Sequence, residues 1–301
     1  MTPPRSIWRS SGPGSAAAIL ARTNETLARA EDLLRDAEGL IHAGLARQPR
    51  DRELVKRLAL NASKRGKVAL AAGRIDEARV AFSQSIALLE QLPPLPPGPG
   101  VEDDRRTLAV SYSEEAELDL EVGHAAWAAQ LFDRAIALLE QNHDALDNGL
   151  GALMLAGRGE SARRVGDPGA ARRFLDRALA IQAPLCASSP GNAFQRWILA
   201  RIHLASAQLR AAGGDREGAA LALGAALALG RPLVDGEPSN KSYALTWGEA
   251  LVEDEARAHE RGDEERAARS HSERCRLVAV FTRIDRADVR FRRLACPGEN
   301  Y

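Results

Sequence analysis

One pattern constrains this chain more than any other: a glycine, an alanine five residues later, and apolar positions at helical spacing behind it. It occurs at Gly73 and Ala78, Gly123 and Ala128, Gly166 and Ala171, Gly214 and Ala219, and Gly262 and Ala267, the glycines standing 50, 43, 48 and 48 residues apart. The first two copies share Ile-Ala-Leu-Leu-Glu-Gln, at 86–91 and 136–141. A fixed internal period in a chain of 301 residues points to a stacked array of similar units rather than to one or two unrelated globular domains.

Composition then selects the element type. Ala, Leu, Arg and Glu dominate, all strong helix formers, and aromatic residues are only 4%, so the units are helical. Each unit reads as a hairpin: a first helix that stops at the glycine, which takes a left-handed conformation without a Cβ penalty, and a second helix that starts just after it. Small residues fall seven positions before four of the glycines (Gly66, Ala116, Gly159, Ala207), and large apolar residues fall nine after (Phe82, Phe132, Leu175, Leu223). The small residues let two helix backbones approach, and the large ones fill the junction with the next hairpin. The fifth unit departs from both columns, with Glu255 and His271, as a terminal unit facing water on one side would.

The units run over 51–92, 101–142, 148–185, 192–231 and 240–284. Before them, 15–48 reads as a half-unit, a lone second helix, behind a Pro-, Ser- and Gly-rich leader at 1–14. A capping helix at 286–295, offering Phe291 and Leu294, and a tail at 296–301 complete the chain. Pro49, Pro99, Pro190 and Pro238 each precede a turn glycine by 24 residues, marking the start of four units. The run Pro93 to Gly100 favours polyproline II and reads either as a stiff connector or as a docking motif for an SH3- or WW-like partner. The third unit's first helix carries Gly149, Gly151, Gly157 and Gly159 and is expected to be the softest, at about 1 kcal/mol per interior glycine.

The small residue, the glycine seven later, the alanine five after that and the large residue four further on resemble the tetratricopeptide repeat family over roughly residues 25–285. The period is longer than that family's usual 34 residues. The units look most like the extended repeats that follow the kinase domain of some bacterial serine/threonine kinases, with Leu-Ala-Val-Ser-Tyr at 108–112 as the nearest stretch. The resemblance implies an all-α, right-handed α-solenoid whose first helices line a concave groove that holds a protein or peptide.

Charge narrows the partner. With 41 basic and 41 acidic residues there is no bulk field to draw the chain to nucleic acid or to an anionic membrane. The longest apolar run, Ala219–Gly230, is about half a bilayer span, and no signal peptide is evident, so a cytoplasmic location is expected. Three cysteines far apart in sequence (Cys186, Cys275, Cys296) suggest neither a disulfide framework nor a metal site. The six histidines are scattered, Glu255 and His259 are one helical turn apart as a surface contact would be, and no nucleophile–base set occurs. Neither enzymatic activity nor a cofactor is expected.

The groove candidates are Lys64, Lys67, Glu114, Glu117, Glu121, Arg163, Arg164, Gln208 and Glu249, all on first helices. Lys64, Arg65 and Lys67 occupy the place one unit before the acidic cluster Glu114, Glu115, Glu117, Asp119 and Glu121. Two outcomes follow: a bipolar groove that reads a charged peptide, or neighbouring helices that pair these charges with one another. Trp127, Trp197 and Trp247 pose a similar choice between ligand stacking and packing against the preceding hairpin, and packing is the expectation for Trp197 and Trp247. The chain therefore reads as a non-enzymatic interaction scaffold. The alternative is a regulatory or substrate-recruiting module of a bacterial kinase system, partnered by a kinase or another signalling protein.

Overall fold

The computed structural model describes residues 13–93, 99–141, 146, 148–284, 291, 294 and 296. Among them are eleven α-helices and no strand. The helices are α1 (Pro13–Arg47), α2 (Arg52–Ala71), α3 (Ile75–Glu90), α4 (Pro99–Glu121), α5 (Ala125–Glu140), α6 (Gly149–Arg164), α7 (Pro168–Ser188), α8 (Ala193–Ala212), α9 (Arg216–Gly236), α10 (Lys241–Glu260) and α11 (Glu264–Ile284). The fold is all-α, and neighbouring helices pack in pairs. Contacts group the chain into two compact units, Glu25–Phe174 and Leu175–Tyr301, the latter together with Met1–Asn24.

The recurring glycines are what close the hairpins. All five have positive φ, from 71° at Gly262 to 94° at Gly123. At each, the residue after the glycine donates its N–H five residues back, as Arg74 does to Ala69 O at 2.9 Å and Asp263 to Ala258 O at 2.9 Å. The glycine itself bonds the carbonyl three back, as Gly73 does to Leu70 at 3.0 Å. This double closure satisfies carbonyls that the helix end would leave bare, and it needs a residue without a Cβ.

The residues that follow the proline turns start the first helices. The side chains of Asp51, Asn192 and Asn240 accept from the backbone N–H groups of Leu54, Gln195 and Tyr243, and Asn148 accepts from Leu150 and Gly151. Each supplies an acceptor to an orphan N–H of the first turn. The helix α4 begins at Pro99, two residues earlier than the sequence boundary of its unit, with proline at a first-turn position where its missing N–H costs nothing. Residues 94–98 of the proline run, 1–12 of the leader and most of the expected capping helix lie outside the described residues.

Packing follows the small and large columns. Gly66 on α2 faces the ring of Phe82 on α3 so closely that an added Cβ would sit 2.5 Å from Phe82 Cε1. Phe82, 1% exposed, also packs with Ala69, Ala78 and Leu118, so it joins its own hairpin to α4. Two glycines of α6 also sit at close approaches. A Cβ on Gly157 would lie 2.2 Å from Phe132 Cζ, and one on Gly151 would lie 2.1 Å from the Leu146 carbonyl oxygen.

In the unit from Leu175 onward, Leu204, Ala207, Leu223, Ala226 and Ala250 pack together between α8, α9 and α10. Among the described residues one helix, α9, is long and apolar enough by length and composition to cross a membrane. Its Ala219, Leu223, Ala226 and Leu233 are buried against other helices. A larger cluster joins Leu233, Trp247, Leu277 and Phe281 to Phe291 and Leu294, beyond α11.

Candidate partner-binding surface

The first helices α2 and α4 lie alongside each other within the Glu25–Phe174 unit, and a ladder of charges ties them together. At its start, Arg52 donates to Asp104, and Lys56 Nζ reaches Asp103 at 2.5 Å and Asp104 at 2.9 Å. Burial works against both charges, but the pairing prevails: Lys56 is held above its ordinary pKa and Asp104 below its own. Three turns on, Ser63 Oγ donates to Glu114 Oε2 at 2.6 Å, and Lys67 Nζ meets Glu114 Oε1 at 2.6 Å.

Of the predicted groove residues, Lys67 and Glu114 are therefore brought together, spending their charges on each other. Lys64, on the same helix, is exposed, whereas Glu117 and Glu121 of α4 are half-buried. Arg65 turns away from α4 and pairs with Glu38 of α1 at 2.8 Å. Arg163 and Arg164 of α6 both engage the neighbouring Glu160, at 2.7 and 2.6 Å, and Arg164 also donates to the Leu120 carbonyl of α4 at 2.8 Å. Burial alone would push the Glu160 carboxyl up, but the two guanidiniums hold it below its ordinary range. Gln208 of α8 and Glu249 of α10 are half-buried in the other compact unit.

Of these candidates, Lys67 and Glu114 pair across neighbouring helices, while Arg163 and Arg164 pair with Glu160 within α6. Glu115 shows how far this goes: burial raises its pKa even though Ser83 Oγ donates to it at 2.7 Å. The physical reason is proximity. α2 and α4 are in contact, so side chains of opposite sign on the two helices can meet.

Sequence reasoning missed a recess between α1, α2 and α3. It has a volume of about 400 Å³ and is lined by Glu31, Leu34, Arg35, Glu38, Arg65 and Arg74, among others. Arg74 bridges Glu31 and Glu77 across it. Only the spacing of Glu31 and Glu38, two turns apart on α1, hinted at it.

The tryptophans divide. Trp247 is 6% exposed and lies over Gly230 of the preceding hairpin, with the Arg231 guanidinium 5.4 Å from its ring. Trp197 packs forward instead, its Nε1 donating to Thr246 Oγ1 at 3.0 Å and its ring 6.2 Å from that of Tyr243. Trp127 is 65% exposed.

The cysteines correct the sequence reading: Cys275 and Cys296 form a disulfide, and Cys186 is free and buried. Cys275 lies on α11, and Cys296 stands 21 positions further along the chain. Glu255 pairs with His271 rather than with His259, whose partner is Glu264.

No protein-family model matches the chain, and no curated protein matches it. Among solved structures it is similar to the crystal structure of BtubC (BKLC) from P. vanneervenii, with a TM-score of 0.55 and 16% identity over 93% of this chain and 95% of that one. At that identity the likeness concerns the fold alone.

Proposed function

We propose that this chain is a non-enzymatic interaction scaffold, a stack of tetratricopeptide-like hairpins whose first-helix surface holds a segment of a protein partner. The observation that carries the reading is the lateral locking of α2 and α4 by Ser63 and Lys67 on Glu114. A surface fixed in this way before binding loses little side-chain entropy when a partner arrives. Because most of its charges are already paired, shape and apolar contact make the larger contribution to affinity, and Lys64 supplies the exposed charge.

The test is affinity capture with the whole chain, wild type and Lys64→Glu, at low and moderate salt, followed by a direct titration of any captured protein. The proposal expects a reproducible partner, weakened several-fold by Lys64→Glu and only modestly by salt. Failure to retain any protein, with the chain folded by circular dichroism, would remove it. A partner whose binding ignores Lys64→Glu would move the surface away from α2.

A further inference from the structure

The last hairpin breaks the packing column that the others keep. Glu255 stands where Gly66 stands in the first hairpin, and His271 stands where Phe82 stands, each pair 16 residues apart. Where a ring presses on bare backbone in the first hairpin, the last one has a carboxylate holding an imidazole, with His271 Nδ1 2.9 Å from Glu255 Oε1. Nδ1 also lies 3.2 Å from Arg274 Nη2, and the form that can bind a metal is the tautomer in which Nδ1–H donates to Glu255 and Nε2 keeps its lone pair. That nitrogen faces Cys275 Sγ at 3.4 Å. Cys296 lies beyond α11 in the chain, and a ring nitrogen of His271, Cys275 Sγ and Cys296 Sγ all lie within 4.8 Å of one another.

We propose that the dithiol form of this cluster binds a zinc ion through His271 Nε2, Cys275 Sγ and Cys296 Sγ, leaving a fourth position for water. Zn–S bonds of about 2.3 Å and a Zn–N bond of about 2.0 Å set ligand atoms roughly 3.5–3.8 Å apart in a tetrahedron, a spacing these three side chains reach by small rotations. Glu255 is the positioning residue: a carboxylate on the second imidazole nitrogen fixes the tautomer and the ring plane, the usual support for a histidine on zinc.

Charge agrees. Arg274, only 7% exposed, donates through Nε at 3.1 Å and Nη2 at 2.9 Å to Glu255 Oε2, so those two charges cancel. Two thiolates would then be left in a half-buried site, and a divalent cation neutralises them. The remaining Arg274 nitrogen holds the Cys296 segment in place, donating to the Leu294 carbonyl at 2.6 Å and lying 3.5 Å from Cys296 Sγ. The Phe281–Phe291 stack, with centroids 4.6 Å apart, anchors the same segment independently of the sulfurs.

The chemistry balances as follows. A dithiol reductant supplies two electrons and two protons, the Cys275–Cys296 bond breaks to two thiols, and the reductant closes its own disulfide. Zinc then displaces both thiol protons to solvent as two Zn–S bonds and one Zn–N bond form. The disulfide and the zinc site are therefore mutually exclusive states of one cluster.

The test uses the whole chain, reduced with a dithiol, freed of reductant under nitrogen and titrated with Zn2+ against a chromophoric chelator, then with Co2+ to read thiolate-to-metal absorption. The expected result is one equivalent bound by the reduced chain and by its Cys186→Ser variant, and none by the oxidised chain. Loss of site binding in the Cys275→Ser/Cys296→Ser double variant and a 10–100-fold weakening in Glu255→Gln complete the expectation. Absence of binding by the reduced wild type, or equal affinity in the double variant, overturns the site. If reduction loosens the segment around Phe291, zinc must restore its hydrogen-exchange protection, and failure to do so overturns the site as well.

Discussion

The hairpin of α2 and α3 and the hairpin of α10 and α11 have the same backbone plan but opposite interiors. In the first, Gly66 admits the Phe82 ring, which is 1% exposed and in contact with α4. In the last, the equivalent places hold Glu255 and His271, joined to Arg274 and to a disulfide. The repeat therefore fixes geometry and leaves chemistry open. A column that glues hairpins together in one place becomes a polar cluster in another once a covering segment, rather than a further hairpin, lies against it.

The contrast can be broken most strongly from its apolar side. Replacing Phe82→Ala removes a fully buried ring shared by three helices and should cost about 3–5 kcal/mol in chemical denaturation. On the polar side, Glu255→Ala leaves the buried Arg274 guanidinium without its carboxylate and should cost about 3 kcal/mol. Glu255→Gln, which keeps an acceptor, should cost visibly less.

Filling the close approach is the next largest effect. Gly66→Ala would normally help a helix, yet here its Cβ meets the Phe82 ring, and overpacking should destabilise by about 1–3 kcal/mol. The smallest effect is expected on the outer ladder. Lys67 is 58% exposed in its pair with Glu114, so Lys67→Ala should change stability by less than about 1 kcal/mol.

A second polar interruption offers a test by pH. His203 occupies the column filled by Ala62, Tyr112, Leu155 and Leu251 in the other hairpins, all buried. Burial holds its pKa below 6.5, so the folded state favours the neutral ring. The associated stability is fully present above pH 6.5 and declines as pH falls from there toward the folded pKa, because only the unfolded chain takes up the proton. Thermal melts of wild type and His203→Gln should diverge on acidification, the variant showing the flatter profile.

Much of this contrast was written in the chain before it folded. The turn glycines, the residues capping the first helices and the two packing columns recur at fixed offsets, so a period alone exposes them. Glu255 and His271 were visible as departures from the columns, but their contact arises only when α10 and α11 close, bringing together residues 16 positions apart. The glycines of α6 show the opposite difficulty. In a sequence, glycine signals flexibility and close approach alike, and only the positions of Phe132 and Leu146 reveal the close approach. The charged first helices were legible as clusters, but how they would be spent depended on the separation of α2 and α4, which no spacing along the chain encodes.

The disulfide between Cys275 and Cys296 also has a consequence in time. A ribosome adding about 5–20 residues per second needs on the order of 1–4 s to travel the 21 residues from the first sulfur to the second. Throughout that interval the cysteine already made is Cys186, the wrong partner. Burial of Cys186 in α7 takes that thiol out of the competition and leaves Cys275 free for the partner made last.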